Sequence, residues 1–164
     1  MNKEHDEYLC KVFPNIFKDR YAPMTETCMC WGFDCGDGWF NIINQLCQNI
    51  QNHIEWNNKN FEKGYAQYKQ VPQVVATQVK EKFGSLRFYY DGGDDFISGL
   101  VSMAESMSGV TCECCGVPTT SRTIHGWVTT LCEACEGKNE ILRAEALAKY
   151  NAEHEETYKK TENK

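Results

Sequence analysis

A chain of 164 residues, 41% hydrophobic and 12% aromatic, can close one core or one core plus a small appended module, which excludes wholesale disorder. Its formal net charge of −6 opposes non-specific binding to DNA or RNA, whose affinity comes mainly from neutralised phosphates. No apolar run approaches the ~20 residues of a membrane helix, and the charged stretch Met1–Glu7 leads into no signal-type apolar core, so a soluble, cytoplasmic protein is expected.

Leu9, Val12, Phe13, Ile16 and Phe17 fall on one face of a short helix over residues 3–20, which Pro14 splits into two pieces. Residues 21–36, with Pro23, Gly32, Gly36 and three cysteines, read as a loop. The strongest periodic signal follows: Trp39, Ile42, Ile43, Leu46, Cys47, Ile50 and Ile54 predict a helix from about Gly38 to Trp56, with Asn and Gln on its other face. Two glycines and a carboxylate at its start could hold an anion, but Asp37 would itself occupy those N–H groups, so Asp37 is expected as the N-cap and Trp39 as the first core residue. Residues 57–73 are polar and read as a connection.

Residues 74–90 predict a β-hairpin around Phe83-Gly84. Pairing Glu81 with Leu86, Val79 with Phe88 and Thr77 with Tyr90 gathers Val75, Val79, Leu86, Phe88 and Tyr90 on an apolar face. The other face then carries Gln78, Lys80, Lys82, Arg87 and Tyr89. Lys80 lies across from Arg87, and like charges so placed cost a few tenths to ~1 kcal/mol. An acid from the long C-terminal helix, a phosphate or an acidic partner surface would compensate; a solvated face is the simpler reading. A second helix, Asp95 to Ser108, is capped by Asp94, carries Phe96, Ile97, Leu100, Val101 and Ala104 as its stripe, and ends at Gly109.

The cysteine pattern carries the clearest chemistry. Cys112-x-x-Cys115, sixteen residues, then Cys132-x-x-Cys135 gives two chelating pairs, and four thiolates satisfy tetrahedral zinc with no open position. A structural Zn²⁺ is therefore expected. Knuckle, two short strands over Arg122–Leu131 meeting near Gly126, and a polar helix from about Glu133 to near Tyr158 form a treble-clef order, closely related to a zinc ribbon. Cys28-x-Cys30-x4-Cys35 would need Cys10 or His5 to complete a second metal site, and buried thiols are the simpler expectation. No catalytic motif stands out, and His5, His53, His125 and His154 are scattered.

Three segments together resemble a family of small uncharacterised proteins of tailed phages and prophages: Thr27–Trp39 with its Cys35-Gly36-Asp37-Gly38-Trp39 core, Val79–Tyr89, and the cysteine module with Gly126-Trp127 before its second pair. The likeness covers roughly residues 25–136. It implies a phage-type accessory protein acting on a host factor, antiviral defence included, with Asp37, Trp39, Lys80, Lys82, Arg87, Tyr89 and Arg122 on the surface to suspect.

The expectation is thus an α+β protein with a core domain at 1–109 and a zinc module plus C-terminal helix at 110–164. It would be a non-enzymatic binder of a host protein. The alternatives are a binder that sequesters a nucleotide or cyclic nucleotide through the Lys80, Arg87 and Tyr89 face, and a zinc-module contact with nucleic acid, which the net charge disfavours. The long helix could also support self-association.

Overall fold

The computed structural model describes residues 1–124 and 126–162, with side chains described for 1–123 and 126–151. It is α+β: helices, two small sheets, and a cysteine cluster ahead of a long C-terminal helix. The chain divides into two compact units, Met1–Leu131 and Cys132–Lys164.

In the first unit, α1 (Lys3–Val12) is capped by Asn2, whose side chain accepts from the His5 amide, and it stops ahead of Pro14 as the ring requires. The segment read as an uninterrupted loop holds a 3₁₀ turn at Cys28–Trp31 and a two-residue strand, β1 (Phe33–Asp34). β1 runs parallel to β2 (Val75–Lys82), with Phe33 beside Val79 and Asp34 beside Lys80. β3 (Ser85–Asp91) completes a three-stranded sheet in the order β1-β2-β3.

The β2–β3 register follows the alternation of side chains from the turn inward: Lys82 opposite Ser85, Glu81 opposite Leu86, Lys80 opposite Arg87 and Val79 opposite Phe88. Beyond Val79 it departs from expectation. A bulge at Thr77 leaves Gln78 opposite Tyr89 and Ala76 opposite Tyr90, so Thr77 does not face Tyr90. The extra residue reverses the strand's facing, and Val74 and Ala76 enter the core in place of Val75.

Helix α2 (Phe40–Glu62) runs on past the expected end at Trp56, and a 3₁₀ turn over Asp37–Trp39 precedes it. Asp37 is not its cap; the expected N-cap bond is absent, and the Asp37 carboxylate turns to α1 instead. Helix α3 (Asp95–Ser108) begins at its predicted cap, with Asp94 accepting from the Ile97 amide at 3.1 Å. Ile97, Val101 and Ala104 are buried, but Phe96 faces solvent. α3 packs on β3 and α2 on α3. α3 also closes the open edge of the sheet, since Ser108 Oγ accepts from the Leu86 amide at 2.7 Å and Glu105 Oε1 from the Phe88 amide at 3.1 Å. The core joins Leu9, Ile16, Trp39, Ile43, Ile50 and Val79.

After α3 come the knuckle and the antiparallel pair β4 (Arg122–Ile124) and β5 (Trp127–Thr129). His125, between them, lies outside the described residues. The second unit is α4 (Glu133–Glu162), whose cysteines occupy its start. Among the described residues no helix is long and apolar enough to cross a membrane.

Candidate metal centre

The first cysteine pair sits on a tight turn. The Gly116 amide donates to the Cys112 carbonyl at 2.8 Å, the Cys112 amide donates to the Val117 carbonyl at 2.8 Å, and Gly116 takes a φ of 79°, which glycine adopts at no steric cost. The second pair opens α4, where the Cys135 amide donates to the Cys132 carbonyl at 3.0 Å. The sulfurs of Cys112, Cys115, Cys132 and Cys135 all lie within 4.8 Å of one another. Four soft donors at that separation can close on one metal ion. Cys112 and Cys135 are buried, Cys132 is half-buried and Cys115 is exposed.

The knuckle is gripped from the other end of its unit by Gly36–Trp39. The Gly36 amide donates to Glu113 Oε1 at 2.9 Å, the Gly38 amide to the Glu113 carbonyl at 2.7 Å, and the Trp39 indole N–H to the Thr111 carbonyl at 2.8 Å. No side chain fits at either glycine. A Cβ on Gly36 would lie 2.3 Å from the Glu113 carbonyl oxygen, and one on Gly38 would lie 2.1 Å from that of Cys112. The two glycines and the tryptophan of the Cys35–Trp39 motif therefore serve this contact. Burial outweighs the Gly36 bond at the Glu113 carboxyl and raises its pKa.

The hairpin tip meets the same module. The Glu113 amide donates to the Thr130 carbonyl at 2.8 Å, and the Thr130 hydroxyl donates to the Gly84 carbonyl. A Cβ on Gly84 would approach Val128 Cγ1 to 3.0 Å. All three segments that suggested a family thus converge on the knuckle and its hairpin. No protein-family model matches the chain. Neither a curated protein nor a solved structure is detectably similar to it.

The remaining residues singled out from sequence fall into separate places. Asp37 accepts from the Asn2 amide at 2.8 Å and pairs with His5 Nδ1 at 3.1 Å; burial alone would raise its pKa, but these bonds hold it below the usual value. Trp39 is fully buried. Lys80 has Asp34 beside it on β1 and Arg87 opposite on β3. Arg87 Nη1 donates to Ser85 Oγ and the Leu86 carbonyl, each at 2.7 Å, and lies 4.0 Å from Glu105 Oε2. Acids on β1 and α3 thus flank the paired cations, a source not among the three compensators weighed from the sequence. Tyr89 lies half-exposed in a groove with Thr27 and Thr77. Arg122 Nη2 donates to the Leu131 carbonyl at 3.1 Å. Lys82 sits at the hairpin tip, its ammonium 5.6 Å from the centre of the Phe83 ring.

Among the described residues no second metal-ligand group forms. Burial pushes the Cys35 thiol up to about 12, and burial with the Asp6 carboxylate pushes Cys10 up to about 12, while Cys47 is fully enclosed and also raised. Protonated thiols of this kind are poor ligands.

Phe83 is the residue whose importance sequence reasoning passed over. It holds a φ of 53° with its ring 70% exposed. With Gly84 at 74° it forms a two-residue hairpin turn with both centres left-handed, a setting that favours Asn-Gly or Gly-Gly.

Proposed function

We propose that the chain is a zinc-stabilised, non-enzymatic phage-type accessory protein that works by binding a host protein, components of antiviral defence included. The donor set fits zinc: ideal tetrahedral Zn–S bonds of about 2.3 Å put sulfurs about 3.8 Å apart, which is compatible with four sulfurs that all lie within 4.8 Å of one another. With four protein thiolates as ligands the ion's part is structural, holding the knuckle against Gly36–Trp39 and the hairpin tip.

Phe83 is the observation that carries the binding reading. A bulky side chain in the left-handed region costs about 1–3 kcal/mol, and residues so held cluster at functional positions. With the residue 70% exposed, burial recovers little of that cost. An exposed aromatic on a rigid turn, with a lysine against its face, has the form of a binding anchor. The nucleotide alternative is less well supported, because the Arg87 guanidinium is already engaged by Ser85, the Leu86 carbonyl and the Glu105 carboxylate. Nucleic acid remains disfavoured by the net charge of −6.

Affinity capture from cells expressing the tagged chain, at low and high salt with the metal content measured, tests the proposal. One dominant host protein, retained at high salt and reduced by Phe83→Asn, is expected. No enriched protein, or capture indifferent to that substitution, counts against it.

A further inference from the structure

Phe96 belongs by its spacing to the buried stripe of α3, yet it stands 56% exposed. It is held there. Its ring stacks on His53 with centroids 4.4 Å apart and planes inclined by 23°. His53 is fixed in turn, with Nε2 2.8 Å from Asp94 Oδ2 and Nδ1 3.2 Å from Asn57 Nδ2, so both ring nitrogens are engaged. Asp94 is also the α3 cap, which ties this support to the start of the helix. About one turn along α2, Trp56 is 61% exposed, and its indole N–H donates to the Tyr68 hydroxyl at 3.3 Å.

His53, Trp56 and Phe96 line one groove of about 550 Å³, with the amides of Asn49 and Asn52 and the charges of Glu55 and Lys59 around it. Leaving two large aromatic faces in water forgoes the burial that would stabilise the fold. Orienting them with hydrogen bonds adds order to groups that would otherwise rotate, and that cost is recovered on binding a ligand with flat faces.

We propose that this groove binds a nucleobase, stacked against Phe96 and Trp56 and read at its edge by Asn52 Nδ2 as donor and Asn49 Oδ1 as acceptor, as part of a free nucleoside or mononucleotide. The other half of each amide is held within α2, Asn49 Nδ2 donating to the Gln45 carbonyl at 2.7 Å and Asn52 Oδ1 accepting from Gln48 Nε2 at 3.0 Å. Aromatic faces accept any base, at about 1–3 kcal/mol per stacked base. Side-chain amides match the paired donor and acceptor of an adenine edge. The site carries one lysine and one glutamate, so it offers little for a polyphosphate, and the net charge of −6 opposes a nucleic-acid strand. This site is separate from the hairpin tip and does not depend on the host-protein reading.

Calorimetric titration of the metal-loaded chain with adenosine, AMP, cytidine, a short oligo(dA) and N-acetylglucosamine tests it. Saturable binding of adenosine or AMP is expected, weakened about 5- to 150-fold by Phe96→Ala and by Trp56→Ala. Phe61→Ala, at an exposed aromatic outside the groove, serves as the control that leaves binding unchanged. Thermal melting of each variant separates a lost fold from a lost ligand. Tighter binding of the oligonucleotide than of AMP overturns the free-nucleotide assignment, and binding of the sugar alone overturns the nucleobase assignment. No binding at millimolar concentration, or binding indifferent to both groove substitutions in folded protein, overturns the site.

Discussion

The Gly38 amide donates to the carbonyl of Glu113, inside the Cys112–Cys115 knuckle, at 2.7 Å, and the approach is so close that Gly38 has no room for a side chain. A methyl group there would meet backbone atoms of Cys112, Glu113 and Gly116, none of which can swing aside. Gly38→Ala should therefore destabilise the protein by about 3 kcal/mol, at the upper end of overpacking effects, and weaken metal retention with it. Gly99→Ala is the contrast: its Cβ meets nothing within 4 Å on α3, so it should stabilise by about 0.5–1 kcal/mol. Denaturant melts of both variants check the pair. Equal effects would show that the close approach does not matter.

Metal removal should be visible from Trp39. Its indole is fully buried and bonded at 2.8 Å to the Thr111 carbonyl, next to the first ligand, whereas Trp31, Trp56 and Trp127 are exposed. A chelator strong enough to strip the ion should lower the melting temperature and shift tryptophan emission to the red, and Trp39→Phe should abolish most of the shift. Elemental analysis should give one zinc per chain. A chain that keeps its melting temperature and emission after complete stripping would remove the metal from the account of stability.

Much of this was legible in the sequence, and the misses have physical causes. The two cysteine pairs, the Asp94 cap and the hairpin register near the turn each rest on local spacing, which the chain carries openly. The Thr77 bulge was written only as a change of step, Val74 and Ala76 two apart and Val79 three further on, which a strict alternation cannot accommodate. β1 is two residues long, too short for any periodicity, and exists because β2 offers it an edge. Gly36 and Gly38 looked like the approach to a helix. What they serve is clearance from a segment far along the chain, and no local pattern encodes that.

The Asp94 carboxylate gives a pH prediction. Burial alone would raise its pKa, but hydrogen bonds from His53 and from the Ile97 and Phe96 amides hold it below its usual value. A depressed acid contributes stability above its unfolded pKa, about 3.9, and loses that contribution as pH falls through the folded value. Asp94→Ala should cost about 1 kcal/mol at neutral pH through the lost cap. The gap between variant and wild type should narrow steadily below about pH 4. Chemical denaturation across pH measures it. A gap independent of pH would mean that the carboxylate's charge contributes nothing.

Phe83 makes a prediction in which stability and binding move in opposite directions. Its backbone holds a φ of 53° beside Gly84 at 74°, and Asn-Gly suits such a turn far better than Phe-Gly. The Phe83 ring is 70% exposed, so replacing it removes no core packing. Phe83→Asn should accordingly raise stability by about 1 kcal/mol while weakening capture of the protein partner. Improvement of the fold together with loss of binding is the signature of strain kept for function. Equilibrium unfolding and capture yield, measured on the same preparation, decide it. Lower stability on substitution would mean that the aromatic ring supports the turn, and the tip would then need no partner to explain it.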